Sequence, residues 1–301
     1  MLSFGVGETA ALVTALSWAG SCQIHTMAGR MIGAVNVTTA RVPLYIMGIG
    51  MVAFFSGATA GLPSGAAVFI VISAIFGITL CDPLLYSASV TIGPRLAVLL
   101  QSLSACLTAI LGHFFLDETI NLTGWMGIIM ASSGVAFVLM EGGVKSGADF
   151  SGLTPVQKWR GIAMAFCSAV SMALSFLALK QALRLGMHPF FATFVRMCIG
   201  GAILWGIMLM RGRLFSCLKN AWTSWPVMRM LIFGCCVATV GNCLSAFAMK
   251  TIQAGIAATL IGLQPIMMIA VTTVVDRKPP TMRAIIGTVI AFTGTALIFT
   301  R

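Results

Sequence analysis

The sequence predicts an all-α integral membrane protein of ten transmembrane helices, arranged as two inverted five-helix repeats. Three observations support this prediction. The chain is 59% hydrophobic and only 8% charged, whereas about a quarter of the residues of a soluble domain are charged. Its apolar residues fall in runs of roughly twenty, the length that spans a bilayer as a helix. The second half of the chain also echoes the first at one fixed offset.

Ten apolar runs are separated by Gly, Pro and charged residues, and each predicts one span. In chain order they are Glu8–Met27, Val37–Gly57, Ala66–Ala88, Arg95–Phe115, Leu122–Glu141, Arg160–Ala182, Pro189–Met210, Met228–Met249, Gly255–Val275 and Met282–Thr300. A polar stretch separates the fifth from the sixth. The expected organisation is therefore a first five-helix repeat at residues 1–141, a connecting loop at 142–158 and a second repeat at 159–301.

An offset of 160 residues relates the two halves. Residues that match at this offset are Ala97 with Ala257, Leu103 with Leu263, Gly127 with Gly287, Gly134 with Gly294, and Ala136 with Ala296. Self-similarity at a fixed period indicates duplication. An odd number of spans in each copy makes the second copy enter the membrane in the opposite direction. Inverted repeats of this kind are common in secondary transporters.

The net charge of +11 does not indicate a nucleic-acid partner, because the Lys and Arg residues are scattered at the ends of apolar runs. There they act as interface anchors and orientation signals. The N-terminus has Glu8 in place of a basic segment, so we expect a retained helix rather than a cleaved signal peptide. No HExxH, GxSxG or Walker motif is present, so we expect no enzyme, no cofactor and no metal site.

The end of the fourth span and the fifth span contain the strongest motif. Phe114-Phe115-Leu116-Asp117-Glu118 closes one apolar helix, Gly124-Trp125-Met126-Gly127 opens the next, and Gly134-Val135 lies further along it. This pattern resembles the EamA-type branch of the drug/metabolite transporter superfamily, and the resemblance extends over nearly the whole chain.

Arginine and proline positions extend the resemblance into both halves. Arg41 and Arg196 match the family's arginine early in the second helix of each repeat, and Gln264-Pro265 matches its proline in the ninth span. The chain departs from the pattern at Ala105, where a proline is often found. It departs again at Lys278, where a Glu would fall.

The resemblance implies a secondary transporter that moves a small organic metabolite by alternating access, and we expect export. The implied substrates are an amino acid or related carboxylate, or an amphipathic drug. The expected partners are this substrate and the lipid bilayer, with protons a possible coupling ion through Asp82; the oligomeric state is left open. The expected location is the inner (plasma) membrane of a bacterium. The alternative is a receptor or scaffold that keeps the fold without transport.

Two arguments about orientation disagree. The positive-inside rule places the loops after odd-numbered spans in the cytoplasm and both termini outside, because basic residues there outnumber those on the opposite face by twelve to four. The twelve are Arg30, Arg95, Lys145, Lys158, Arg160, Arg211, Arg213, Lys219, Arg229, Arg277, Lys278 and Arg283, and the four are Lys180, Arg184, Lys250 and Arg301. The family resemblance instead implies cytoplasmic termini, and the sequence leaves the question open.

Ionisable residues inside spans are costly and are therefore functional candidates. Arg41 and Asp82 lie toward the same membrane face and can form an ion pair. Arg196 takes the place of Arg41 in the second half, and the 160-residue offset places Asn242 opposite Asp82. We interpret these residues as a pair of gates, or as contacts for an anionic group, flanking a central site. The alternative is that they hold helix ends by neutralising or snorkelling.

Pro265 predicts a second part of the site. It removes a backbone hydrogen bond from the carbonyl of Ile261, and a freed carbonyl at mid-membrane is tolerated where it lines a cavity. Other residues expected at this site are Gln264, the span-four residues Gln101, Ser102 and Ser104, and the aromatic walls Trp18, Tyr86 and Phe247. Gln23, His25 and His113 are weaker candidates. The alternative is a packing kink surrounded by ordinary core residues.

Overall fold

The computed structural model describes residues 5–58, 61, 63–116, 122–139, 153–251, 257, 260–276 and 281–299, and these residues form helices and turns without a β-strand. The helices are α1 (Val6–Ile32), α2 (Ala34–Ala40), α3 (Val42–Phe55), α4 (Ala66–Ala74), α5 (Asp82–Ile92), α6 (Pro94–Gln101), α7 (Leu103–Leu116), α8 (Leu122–Leu139), α9 (Pro155–Arg184), α10 (Pro189–Met210), α11 (Leu214–Trp222), α12 (Trp225–Thr251), α13 (Gln264–Asp276) and α14 (Met282–Phe299).

Helices occur at the positions of all ten predicted spans. Within the described part of the chain, five helical segments are both long and apolar enough to cross a membrane: Ala34–Phe55, Ala66–Ile92, Pro155–Arg184, Pro189–Met210 and Trp225–Thr251. The chain is therefore a multi-pass helical membrane protein. At most helix ends the observed bound differs from the predicted one by a few residues, because hydropathy does not fix the exact first and last residue of a helix.

The second span is interrupted between α2 and α3, around Arg41. Pro43, two residues after Arg41, has no N–H to donate to the carbonyl of Thr39, four residues before it. The indole N–H of Trp205 on α10 donates to that carbonyl at 2.9 Å instead. An unpaired carbonyl would be costly in lipid, and here the neighbouring helix supplies its hydrogen bond.

The fourth and ninth spans are also interrupted, and at equivalent positions. Ser102 separates α6 from α7, and its hydroxyl donates to the carbonyl of Leu99 at 2.7 Å. Gly262 and Leu263 form a turn directly before α13. Ser102 and Gly262 are 160 residues apart, the offset that relates the two halves. Both copies therefore break the same helix at the same place.

The sequence placed Pro265 inside a continuous helix of the ninth span, but in the structure it does not kink such a helix. It lies in the first turn of α13, where the missing N–H has no intrahelical partner to lose. The break belongs to Gly262, one turn earlier. The first-half break at Ser102 needs no proline, which explains how Ala105 can stand at the equivalent of Pro265.

Two local features lie outside the predicted spans. Residues 155–158, predicted as part of the connecting loop, form the first turn of α9 behind a capping box between Thr154 and Gln157. Helix α11 was not predicted. It is a short amphipathic helix that packs Leu214, Cys217 and Ala221 inward and lies against α2 and α12.

The closest helix pair joins the fifth and tenth spans, α8 and α14. A Cβ atom on Gly134 would lie 2.7 Å from the carbonyl oxygen of Gly287 and 2.9 Å from the Cα of Ala291. A Cβ atom on Gly294 would lie 2.7 Å from the carbonyl oxygen of Gly127. Late residues of each helix thus meet early residues of the other, so the equivalent helices run antiparallel.

Helix α1 packs antiparallel to α12 in the same manner. The Thr14 hydroxyl donates to the carbonyl of Gly241 at 3.3 Å, while a Cβ on Gly234 would lie 2.9 Å from the Nε2 atom of His25. Early α1 therefore meets late α12, and later α1 meets earlier α12. Both glycines permit the approach of side chains from the other half.

The reciprocal pair is the third span against the sixth. The hydroxyls of Ser73 and Ser175 lie 3.1 Å apart, and the Sγ atom of Cys81 lies 3.3 Å from the hydroxyl of Ser168. Span one of the first half corresponds to span six of the second, and span three corresponds to span eight. The contact between spans three and six is therefore the counterpart of the contact between spans eight and one. Equivalent pairs of spans in the two halves therefore pack alike, which agrees with an inverted repeat.

We predict that Gly134→Ala lowers the free energy of unfolding by about 1–3 kcal/mol, because the new methyl group meets backbone atoms of α14 that cannot rotate away. Thermal unfolding of the purified protein in detergent measures this. Gly206→Ala on α10 is the matched control, since a Cβ there would meet nothing within 4 Å. Equal melting temperatures for the two variants would contradict the close α8–α14 contact.

Candidate functional site

A cavity of about 60 Å³, which we call the arginine cavity, lies where the two halves meet. A volume of this size holds several water molecules. Eight of the nine predicted site residues line it: Trp18, Arg41, Asp82, Tyr86, Gln101, Arg196, Asn242 and Gln264. These residues come from seven different spans, so the cavity exists only because the two halves pack together.

Arg41 is the most completely partnered residue of the arginine cavity. Its Nη2 atom forms an ion pair with Oδ2 of Asp82, as the sequence predicted. The guanidinium carbon lies 4.4 Å from the ring centroid of Tyr86 and 5.0 Å from that of Tyr45. Cation–π contacts of this kind contribute about 2 kcal/mol when desolvated. The charge of Arg41 is therefore compensated by the protein itself.

The Arg41 cluster is held by residues one helical turn apart. Tyr45 follows Arg41 by four residues and Tyr86 follows Asp82 by four, so each tyrosine lies on the same helix face as its charged neighbour. His25 of α1 packs edge-on against Tyr86, with ring centroids 5.4 Å apart. This packing fixes the rings on both sides of the guanidinium.

A wide turn positions Asp82. Residues Ile75–Cys81 form a π-helical segment between α4 and α5, a distortion that is frequent at functional sites. Gly77 within it allows close packing, because a Cβ there would lie 3.2 Å from the Cβ of Ser175 and 3.8 Å from Nη1 of Arg196. The segment thereby brings α10 and α9 against the third span beside the cavity.

Arg196 is much less completely partnered than Arg41. Its Nη1 atom donates to the hydroxyls of Ser73 and Ser175 at 3.3 and 3.4 Å, beyond the usual range for N–H···O bonds. Its Nε atom is buried and has no hydrogen-bond partner in the described part of the chain. Only 7% of Arg196 is exposed. Arg196 therefore lines the arginine cavity while its buried Nε–H has no partner among the described residues.

The arrangement of the two arginines differs from a pair of gates on either side of a central site. Arg41 and Arg196 both line the arginine cavity, and Asp82 interacts electrostatically with both. Both long side chains reach this one cavity, which their positions along the chain do not reveal. Arg196 therefore has an acidic residue near it, which the sequence analysis had not found.

A second cavity of about 40 Å³, which we call the serine cavity, lies between the two helix breaks. From the first half it is lined by Ser102, Ser104 and Thr108, and from the second by Ile261 and Pro265 among others. Ser104 is the ninth predicted residue. The structure thus brings together the two segments, around Ser102 and around Pro265, that the sequence expected to face each other. None of the residues lining this cavity is charged.

An aromatic pair stands between the two cavities. Trp18 of α1 and Phe176 of α9 stack with ring centroids 6.3 Å apart and an interplanar angle of 11°. Both residues line both cavities, together with Met172, Gln101 and Gln264. Trp18 and Phe176 lie in spans one and six, which are equivalent in the two halves. The wall between the cavities is therefore shared by both repeats.

Several residues that line the cavities or contact their arginines were not predicted, and the predicted candidates Gln23, His25 and Phe247 line neither cavity. Phe176 had a signal in the sequence, because its span is equivalent to that of Trp18. Tyr45 had the signal of its four-residue spacing from Arg41. Ser73 and Ser175 had none beyond being small and polar. Phe247, expected as an aromatic wall, lines neither cavity and stacks with Phe190 at 6.5 Å. Substrate binding by any of these residues stays a prediction.

Comparisons with known proteins agree with a helical membrane protein made of two repeats. The model of the EamA-like transporter family matches residues 5–140 and 159–300. No curated protein matches the chain. One crystal structure of another protein superposes with a TM-score of 0.71 over 99% of this chain and 97% of its own, at 15% identity. That identity supports the fold alone. Because the family model covers both halves, the chain belongs to the EamA-like transporter family of the drug/metabolite transporter type.

Proposed function

We propose that this protein is a secondary transporter that moves a small organic metabolite across a bacterial inner (plasma) membrane by alternating access. In this proposal all ten spans cross the bilayer as two inverted five-helix repeats. The substrate is an amino acid, a related carboxylate or an amphipathic drug, and the direction is export. The single observation on which the proposal rests is the polar cavity that residues of both halves form together.

The broken helices support this proposal. Discontinuous helices line substrate sites in many transporters, because unwound backbone at membrane depth is tolerated where it borders a cavity. Here the breaks at Ser102 and Gly262 border the serine cavity, and Gln101 and Gln264 extend into the arginine cavity. Two adjoining cavities of different polarity give a substrate a charged contact at one end and uncharged contacts at the other.

The approximate two-fold packing supplies a route to alternating access. Spans one and eight pack in the way that spans six and three do, so exchanging the two arrangements opens the site to the other side without a new kind of contact. The stacked pair Trp18 and Phe176, one from each half, is the element that such a motion has to separate. Coupling to protons through Asp82, or no coupling, fits this arrangement equally.

The alternative function is a receptor or scaffold that uses the same fold without transport. A transporter and a receptor both predict ligand binding in the cavity, so binding does not separate these two functions. Flux through reconstituted proteoliposomes does, because a receptor binds saturably and moves nothing.

We predict that Gln264→Leu and Gln101→Leu each lower the kcat/KM of substrate flux at least about tenfold. Each change keeps the side-chain volume and removes an amide that the substrate has to use or replace. Counterflow in proteoliposomes with a panel of small carboxylates, amino acids and amphipathic drugs measures the effect.

Asn220→Ala, which removes an exposed amide on α11, is the matched control and leaves flux unchanged. Saturable flux that both leucine variants retain in full would remove these glutamines from the site. No saturable flux for any member of the panel would favour the receptor.

We also predict that Ser168→Cys makes flux sensitive to oxidation. The new thiol replaces a hydroxyl that lies 3.3 Å from the Sγ atom of Cys81, so a disulfide can link the third span to the sixth. Because this contact joins the two halves, the link should stop alternation and abolish flux, and a reductant should restore it. The double variant Cys81→Ala/Ser168→Cys carries the same new thiol without its partner. Full flux in the oxidised single variant, with the disulfide shown by mass spectrometry, would mean that this contact does not move.

A further inference from the structure

We infer that the substrate is a monoanion with one carboxylate, which Arg196 binds while the ion pair of Arg41 and Asp82 stays intact. This inference narrows the substrate class of the proposed transporter, and it rests on that proposal for the identification of the cavity as the substrate site. Its test measures binding, so it can fail or succeed independently of transport.

The first argument is the difference between the two arginines. Arg41 has an ion-pair partner and lies against two tyrosine rings. Arg196 has two long hydrogen bonds to serine hydroxyls on Nη1 and a buried Nε without a partner in the described chain. A buried polar group without a partner costs free energy. Arg196 is therefore the arginine that gains most from an incoming anion.

The second argument is the charge of the arginine cavity. Its lining contains two arginines and one aspartate, and its remaining described residues are uncharged at neutral pH. The lining therefore has a net charge of +1. Water can screen this charge while the cavity is empty, but a bound substrate displaces water from a site surrounded by lipid and protein. Uncompensated charge in such surroundings is expensive. A ligand of charge −1 brings the total to zero.

The other ligand classes fit this charge less well. A cation meets two guanidinium groups and raises the total to +2. A zwitterion leaves the total at +1, and its ammonium group has to share Asp82 with Arg41 and Arg196. A dianion overshoots to −1. The balance holds while Asp82 is ionised, the state in which it forms the ion pair with Arg41.

The geometry of Arg196 favours a carboxylate as the anionic group. A guanidinium presents its Nε and Nη donors in a planar fork that matches the two oxygens of a carboxylate. The serine hydroxyls occupy Nη1 and leave Nε open. The uncharged serine cavity lies next to the arginine cavity, and Trp18 and Phe176 line both. It suits the uncharged remainder of the substrate.

The test is a binding measurement with probes that share a skeleton and differ in charge. Isothermal titration of the purified full-length protein in lipid nanodiscs at pH 7 uses butanoate, butanamide, butylammonium and zwitterionic 2-aminobutanoate. A second skeleton, with benzoate, benzamide and benzylammonium, covers a difference in size. The expected result is saturable binding of at least one carboxylate, at least about thirtyfold tighter than its amide.

Variants assign the binding to Arg196. Arg196→Gln should weaken carboxylate binding at least about thirtyfold, and Arg196→Lys, which keeps the charge but loses the fork, should fall between the two. Arg211→Gln, at an exposed position at the end of the same helix, is the matched control and should bind as the unaltered protein does. Asp82→Asn raises the lining charge to +2, so the dianion succinate should become the preferred probe.

Three results would overturn the inference: tighter binding of 2-aminobutanoate than of butanoate, no binding of either carboxylate, or full carboxylate affinity in Arg196→Gln. Flux assays in proteoliposomes run in parallel. Carboxylate binding that depends on Arg196 without any flux would leave this inference standing and remove the transport proposal. Flux of a zwitterion or cation would do the reverse.

Discussion

Backbone contact between α8 and α14 is the constraint on which the rest of the structure depends. Lipid provides no hydrophobic driving force between helices, so close packing through small residues has to hold them together. Gly134 and Gly294 allow this approach, and each meets the early turns of the other helix. Two equivalent helices that meet in this way must run in opposite directions. The opposite directions of these two equivalent helices follow from it.

Symmetry of the backbone is combined with asymmetry of the side chains. The equivalent of Asp82 at the 160-residue offset is Asn242, and both line the arginine cavity with Arg41 and Arg196. Asp82 pairs with one of the two arginines and leaves the other with weak neutral partners. The duplicated backbone thereby holds two arginines that differ in their partners. The lining of the arginine cavity therefore contains two cationic side chains and one anionic side chain.

Much of this arrangement could be predicted from the chain, because duplication leaves a signal at a fixed offset. At the 160-residue offset Ser102 corresponds to Gly262, and a helix is interrupted at both residues. The sequence could not show that the break precedes Pro265, since a glycine in an apolar run is compatible with a continuous helix. Nor could it show that Arg41 and Arg196 share one cavity, because the reach of a guanidinium is decided by helix rotation and tilt. Small hydroxyls such as Ser73 gave no signal at all.

The central claim is that the two halves enter the membrane in opposite directions, and labelling of two equivalent residues tests it most directly. Leu122 and Met282 open α8 and α14, lie 160 residues apart, and are 76% and 70% exposed. Each is replaced by cysteine in a background without the nine native cysteines, and sealed cells are treated with a membrane-impermeant maleimide. The account predicts that one site reacts from outside and the other only after the membrane is opened. Reaction of both from the same side would contradict it.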